Sequence, residues 1–250
     1  MTRRRWIADE VHGDTATLTG EHAFHLSRVL RAQVGQEFDI ATGHAVRYAR
    51  ITSISDDRVE FALGKEVVVK CSAQLTLVLA VFKFDRMEWA IEKCTELGVT
   101  RIIPLIARRT DSHLAAAAGK RHERWQRIAR QASEQSRRAA APEISLPVKL
   151  KELGSAGNAP ALPAGADTAA TKIVLAESDT TSRLRDVLGS GSGDRPLEVI
   201  LAIGPEGGWA EDEMKWFRQS GWAAASLGGT ILRAETAAIV ATALALDALR

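Results

Sequence analysis

The sequence predicts an α/β protein in two parts, a β-rich region over residues 1–71 and a parallel α/β domain over 72–250. Three observations carry this. Apolar and polar residues alternate over Val46–Ile54 and Val59–Leu63, the period of half-buried strands. After Cys71 the rhythm becomes apolar run, helical period, apolar run, as in a sheet buried on both faces. One of those runs, Leu197–Ile203, opens directly into the glycine-rich stretch GPEGGW, Gly204–Trp209.

In the first part, turn signals at Gly35, Gly43 and Asp56-Asp57 separate the strands, which suits either a small β-barrel or a β-sandwich. One helix fits Glu21–Leu30, with Phe24, Leu26, Val29 and Leu30 able to face a core. In the second part Leu75–Phe82 reads as a buried strand. Met87, Ala90, Ile91, Cys94 and Leu97 then recur at helical spacing, and Gly98 ends that helix. Further strands are expected at Arg101–Ala107, Lys172–Ala176 and Leu197–Ile203, with helices near 181–188, 210–220 and 234–249. Gly154–Thr171 and Gly189–Gly193 read as loops.

Composition excludes several classes. With 46% hydrophobic residues, 26% charged and a net charge of +2, the chain is that of an ordinary globular protein. No run of about eighteen apolar residues occurs, so no membrane partner is expected. The basic Arg3-Arg4-Arg5 start lacks the apolar stretch of a secretory signal, and a cytoplasmic location is expected. Cys71 and Cys94 are far apart, and His22 and His25 have no ligand-spaced partners, so no metal is expected.

Two stretches carry chemical signal. A glycine-rich turn at the carboxyl end of a parallel strand is where open α/β sheets bind ligands. Gly204, Gly207 and Gly208 let backbone groups approach a ligand closely. The helix that follows begins Glu211-Asp212-Glu213, which suits the helix dipole but repels a phosphate. A ligand without phosphates fits this loop, and so does a tight strand-to-helix turn with no ligand. The second stretch is LGGTILRAETA, Leu227–Ala237, where Arg233, Glu235 and Thr236 open the apolar run Ala237–Leu249. Charges at the mouth of so apolar a helix are either functional or paired, as Arg233–Glu235 or Arg233–Glu206.

GPEGGW and LGxxILRxETA together resemble the RsmE family, the 16S ribosomal RNA uridine-N3 methyltransferases of the SPOUT superfamily. The resemblance extends along the chain: His22–Arg31 is similar to that family's HxxHLxRVLR, Lys83–Gly98 to its KGDRMxxxIxKxTELG, Arg124-Trp125 to its RW and Gln135–Arg138 to its QSxR. It implies an N-terminal PUA-like barrel for RNA and a C-terminal trefoil knot holding S-adenosylmethionine, with S-adenosylhomocysteine as product. It also implies a homodimer acting on 16S rRNA, in the small ribosomal subunit. Cofactor contacts are implied for Leu175, Ala176 and Glu177, for Gly204, Pro205, Glu206, Gly207 and Gly208, and for Leu227, Gly228, Ile231, Leu232 and Ala237. Arg233 matches the ILR arginine and is the catalytic candidate, with Glu206 and Glu235 as candidate bases and proton loss to water as the alternative.

RNA contacts are expected from basic residues: Arg3, Arg4, Arg5, His25, Arg28 and Arg31 in the first part, Lys83 and Arg86 near a strand end. On the helix near 120–138, Trp125, Ile128, Ala129 and Ala132 form an apolar face opposite Lys120, Arg124, Arg127, Arg130 and Arg138. That face, together with Gln135 and Arg137, is either an RNA surface or a solvated, salt-bridged one, since Glu123 and Glu134 share it. Departures from the family pattern are Phe84 for the glycine of KGDR, Thr230 for an arginine, and Ala210 for a helix-capping Ser or Thr. The rival readings are a related knotted enzyme acting on transfer RNA, a non-catalytic ribosome-assembly protein, and a nicotinamide-dependent oxidoreductase.

Overall fold

The computed structural model describes residues 5–43, 45–67, 74–153, 170–176, 182–189 and 198–249. Arg3, Arg4, Glu177 and most of the loops expected at 154–171 and 189–193 lie outside the described residues. The chain divides into two compact units, Met1–Cys71 with Arg130–Ala141, and Ser72–Ala129 with Pro142–Arg250.

The first unit contains a six-stranded sheet, in the order β1 (Arg5–Ile7), β4 (Glu37–Ala41), β5 (Val46–Ile54), β6 (Arg58–Val67), β3 (Thr15–Thr19), β2 (Glu10–His12). All neighbours are antiparallel except β1 and β4. Its alternating residues converge on one core that includes Leu18, Ile40, Ile51, Val59 and Phe61. Helix α1 (Gly20–Phe24) continues as a π-helical turn over His25–Val29. There the apolar face departs from expectation. Ala23 and Leu26 are buried, but Phe24 and Val29 are 55% and 58% exposed. The wider π turn changes the angular phase, so residues spaced for an α-helix no longer share a face.

The second unit holds a wholly parallel sheet in the order β10 (Val148–Lys149), β8 (Arg101–Ile106), β7 (Gln74–Ala80), β12 (Glu198–Ile203), β11 (Ala170–Leu175), β13 (Ala223–Ala225), with β9 (Glu143–Ile144) also beside β8. Its helices are α2 (Phe84–Leu97), α3 (Ser112–Ala117), most of α4 (His122–Gln135), α5 (Leu184–Gly189), α6 (Glu211–Gln219) and α7 (Ala234–Ala248). The unit boundary falls inside α4, after Ala129.

Strand period distributes the side chains to two cores. Leu75, Leu77, Leu79, Val199, Leu201 and Ile203 meet α2 and α7 on one face. Val78, Ala80, Ile200, Ala202 and Val174 meet Trp209, Met214, Phe217 and Trp222 on the other. Burial on both faces explains why these strands read as unbroken apolar runs. Phe217 is the hub of the second core, with ring centroids of Trp209, Trp216 and Trp222 within 4.9 to 5.4 Å, so α6 is fixed directly behind the GPEGGW loop. Gly98 ends α2 at φ +127, a conformation that favours glycine. Helix α7 buries Ala238, Ala241, Thr242, Ala245 and Leu246 but leaves Val240 and Leu244 partly exposed, so it is less enclosed than its composition suggests.

Candidate functional site

Because the sheet is parallel, the carboxyl ends of β11, β12 and β13 lie on one edge. The segments leaving them line one cleft of about 710 Å³. Leu175 and Ala176 come from β11, Gly204, Pro205, Glu206, Gly207 and Gly208 from the turn after β12, and Leu227, Gly228, Ile231 and Leu232 from the segment after β13. Ala237 on α7 completes the set. The structure thus brings together all the residues expected to meet the cofactor, apart from Glu177, which lies outside the described residues.

Local geometry explains the glycines. A Cβ on Gly204 would sit 3.1 Å from Nε1 of Trp209, whose indole in turn donates to the Leu175 carbonyl at 2.9 Å. The turn and the end of β11 are therefore tied through one tryptophan, and Gly204 makes room for it. Gly208 and Gly228 stand at φ +69 and +133. Helix α6 starts without the family's hydroxyl cap. Instead the buried Glu213 carboxylate accepts from the Ala210 and Arg108 backbone N–H groups, each at 2.8 Å. One of the three acids at that helix start is thus a structural acceptor, which anchors the loop after β8 to α6.

Among the described residues, three charged side chains line the cleft: Arg109, Glu206 and Arg233. Arg109 went unnoticed in the sequence because its loop, between β8 and α3, carries no motif. Its guanidinium donates to the Gly207 carbonyl at 2.8 Å. Arg233 is exposed, and its guanidinium has no hydrogen-bond or ion-pair partner among the described residues. The pairing of Arg233 with Glu206 or Glu235, left open by the sequence, does not form. Arg86 from α2 takes both carboxylates instead, Glu206 at 2.8 Å and Glu235 at 3.7 Å. Glu235 is only 4% exposed and does not line the cleft.

The residues expected to meet RNA have varied surroundings. In the first unit Arg5 is drawn inward, donating to the Arg137 carbonyl and facing Asp39 at 4.0 Å. His25 is exposed and its ring lies 5.7 Å from Trp6. Arg28 is exposed but paired with Asp56 at 2.6 Å, while Arg31 is exposed at φ +51. Gln135 and Arg137 are exposed. Arg138 is largely enclosed, and burial lowers its value to about 10, which leaves it protonated at neutral pH. Arg130 is salt-bridged, as one of the two readings of its face has it, but to partners beyond α4 as well. It binds Asp9 at 2.8 Å and the Ile7 carbonyl at 2.8 Å, with Glu134 at 3.5 Å. His22 lies between the same two carboxylates, 3.4 Å from each.

In the second unit Lys83 is exposed. Arg124 pairs with Glu88 at 2.7 Å, which raises its value above that of a free arginine through the hydrogen bond and charge of Glu88. Phe84, where the family pattern has glycine, packs against Trp125 and under the Arg121 guanidinium at 4.6 Å. The expected apolar face of α4 is in place, with Trp125, Ala129 and Ala132 buried. No cluster able to hold a metal ion occurs among the described residues, and no helix among them is long and apolar enough to cross a membrane.

Comparison with known proteins converges on one group. Residues 69–246 match the model of the RNA methyltransferase domain. The ribosomal RNA small subunit methyltransferase E of Synechocystis is 34% identical over 233 residues, covering 92% of this chain and 72% of that protein. A crystal structure of a ribosomal RNA small subunit methyltransferase E from Neisseria gonorrhoeae bound to S-adenosyl methionine superposes with a TM-score of 0.78, at 27% identity, over 97% of this chain and 96% of that one. A Legionella pneumophila structure in complex with bound SAM gives a TM-score of 0.79 at 26% identity, over 99% and 98% of the two chains. The chain belongs to the RNA methyltransferase domain family and, within it, to the ribosomal RNA small subunit methyltransferase E group, the RsmE family.

Proposed function

We propose that this chain transfers a methyl group from S-adenosylmethionine to N3 of a uridine in 16S ribosomal RNA. The observation that carries this reading is the convergence of three strand-end segments on one cleft beside an unpartnered Arg233 guanidinium, in a chain of this family. The cleft fits the cofactor. Its glycines remove side chains where an adenosine would meet the backbone, its apolar walls come from Leu227, Ile231 and Leu232, and no phosphate cradle is present at the acidic start of α6.

When bound, S-adenosylmethionine supplies an electrophilic methyl group. The chain's own task is to prepare the nucleophile. N3 of uracil carries a proton at neutral pH, so it becomes nucleophilic only as an anion. Arg233, exposed and unpaired within the described cleft, is the cation that stabilises that anion beside O2 or O4. The cleft walls hold the two reactants in line, which contributes a further large share of the rate. Glu206 and Glu235 act here as counter-ions of Arg86, and the N3 proton leaves to water.

The same reading makes the first unit a PUA-like RNA-binding module and the carboxyl-terminal part of the second a trefoil knot. The knot is supported by the path from β12 outward past β11 to β13 and back to the cleft beside the 204–208 turn. RNA contact is assigned to the exposed His25, Arg31, Gln135 and Arg137, to Arg28 once released from Asp56, and to Lys83. A homodimer is supported by Ile231, 82% exposed, and by the exposed Val240 and Leu244 of α7. The expected setting is cytoplasmic. Calorimetry tests the cofactor: S-adenosylhomocysteine should bind to the isolated chain while NAD does not. Binding of NAD alone would overturn the reading.

A further inference from the structure

Arg86 was expected to meet RNA, yet its surroundings give it another task. Its side chain is 29% exposed and lies between two carboxylates, on Glu206 at 2.8 Å and facing Glu235 at 3.7 Å. Glu206 belongs to one wall of the cleft, and Glu235 follows Arg233 by two residues at the start of α7. These two carboxylates are the ones that the sequence offers as partners for Arg233. Glu235 also has an oxygen, Oε2, that is buried with no hydrogen bond. A buried carboxylate with unused acceptor capacity would take a nearby guanidinium readily. The Arg233 guanidinium nevertheless remains without a partner among the described residues.

We infer that Arg86 is a positioning residue that sequesters Glu206 and Glu235, and so keeps the Arg233 guanidinium free for the reacting base. The inference rests on the function proposed above for its consequence, though not for its geometry. One guanidinium has a planar fork of five N–H donors and can engage two carboxylates at once through different edges. By engaging them from α2, outside the cleft lining, Arg86 leaves Arg109 and Arg233 as the uncompensated charges of the described lining. A cation already paired with a carboxylate would give much less stabilisation to a developing anion, because its donors and its field are already committed. Arg86 also ties the 204–208 turn to the α7 start, but that tie alone predicts a different response to substitution.

Two measurements separate the possibilities. The first is the rate at which phenylglyoxal modifies Arg233, followed by peptide mass spectrometry, in the chain without cofactor or RNA. Arg86→Gln should slow that modification several-fold as a released carboxylate captures Arg233, and adding both Glu206→Gln and Glu235→Gln should restore it. The second is steady-state methyl transfer to unmodified small-subunit RNA. Arg86→Gln should lower kcat roughly tenfold or more, with the KM for RNA little changed, and the variant with both carboxylates also changed to Gln should recover most of the loss. If Arg86→Gln does not fold, Arg86→Lys replaces it, with a smaller loss and the same recovery. A raised KM for RNA that Glu206→Gln and Glu235→Gln together do not correct would make Arg86 an RNA contact and overturn the inference. Unchanged Arg233 modification in Arg86→Gln would overturn it as well. Wild-type chain that transfers no methyl, while its Arg233 modification follows the expected pattern, would refute the proposed function and leave the sequestration standing.

Discussion

Both units gather arginines among carboxylates, and they do so in opposite ways. In the first, Arg130 and His22 sit between Asp9 and Glu134, and every one of these side chains is engaged. Asp9 further accepts the Thr19 backbone N–H at 2.8 Å. This closed set joins β3, α1 and the last turns of α4. At the cleft of the second unit one arginine takes both carboxylates and two are left without one. Arg86 takes up Glu206 and Glu235, and Arg233 and Arg109 face the cleft. Removing the cation of a compensated cluster leaves buried charge unpaired, whereas an uncompensated cation at a cleft has a cost in isolation and a use when an anion develops beside it.

Substitutions should separate these two kinds of cluster. The largest effect is expected for Arg233→Ala, which should lower kcat roughly a hundredfold or more while changing stability little. Unchanged turnover at saturating RNA and cofactor would remove Arg233 from the mechanism. Next is Gly204→Ala, whose new methyl would meet the Trp209 indole at 3.1 Å and disturb its bond to Leu175. S-adenosylhomocysteine affinity should fall about tenfold by calorimetry, the effect of a misplaced binding wall.

The closed cluster should respond in the other currency. Arg130→Ala leaves Asp9 and Glu134 partly buried without their main cation, and urea unfolding should register a loss of about 2 kcal/mol. Cofactor affinity should be unchanged, and a large loss of it would blur the distinction drawn here.

The smallest effect concerns Glu134. Burial raises its carboxyl above the ordinary value, opposed by His22 and Arg130. A carboxyl with a raised folded-state value costs stability at pH above that value, and the cost disappears as pH falls to its unfolded range. Glu134→Gln should therefore gain on the wild type at neutral pH and lose that advantage under mild acid, as followed by urea midpoints. A fixed difference across that window would mean that Glu134 titrates normally.

Sequence period revealed what is long and repetitive. The apolar runs of β7 and β12, the helical spacing of α2 and the amphipathic α4 follow directly from burial on two faces, one face or a stripe. The short strands had no such signal. β1, β2, β9, β10 and β13 span two or three residues, and Ala223-Ala224-Ala225 has no β-forming side chain at all. Its register opposite Ile173, Val174 and Leu175 makes it a strand. Cleft residues were legible because the glycine turns and the Leu227–Ala237 stretch form contiguous motifs. Arg109 and the true role of Arg86 were not, since each depends on a partner about a hundred residues away: Gly207 for Arg109, Glu206 for Arg86. Charge along a chain shows where cations are, but not which are already neutralised.

Methyl transfer itself decides between the proposed function and its rivals. Labelled S-adenosylmethionine would be offered with unmodified small ribosomal subunits, naked 16S RNA and bulk transfer RNA, and the product nucleoside mapped by mass spectrometry. Label is expected on N3 of a single uridine of the small-subunit RNA and none on transfer RNA. Label on transfer RNA alone, or no transfer to any substrate by a chain that binds the cofactor, would contradict the proposed function.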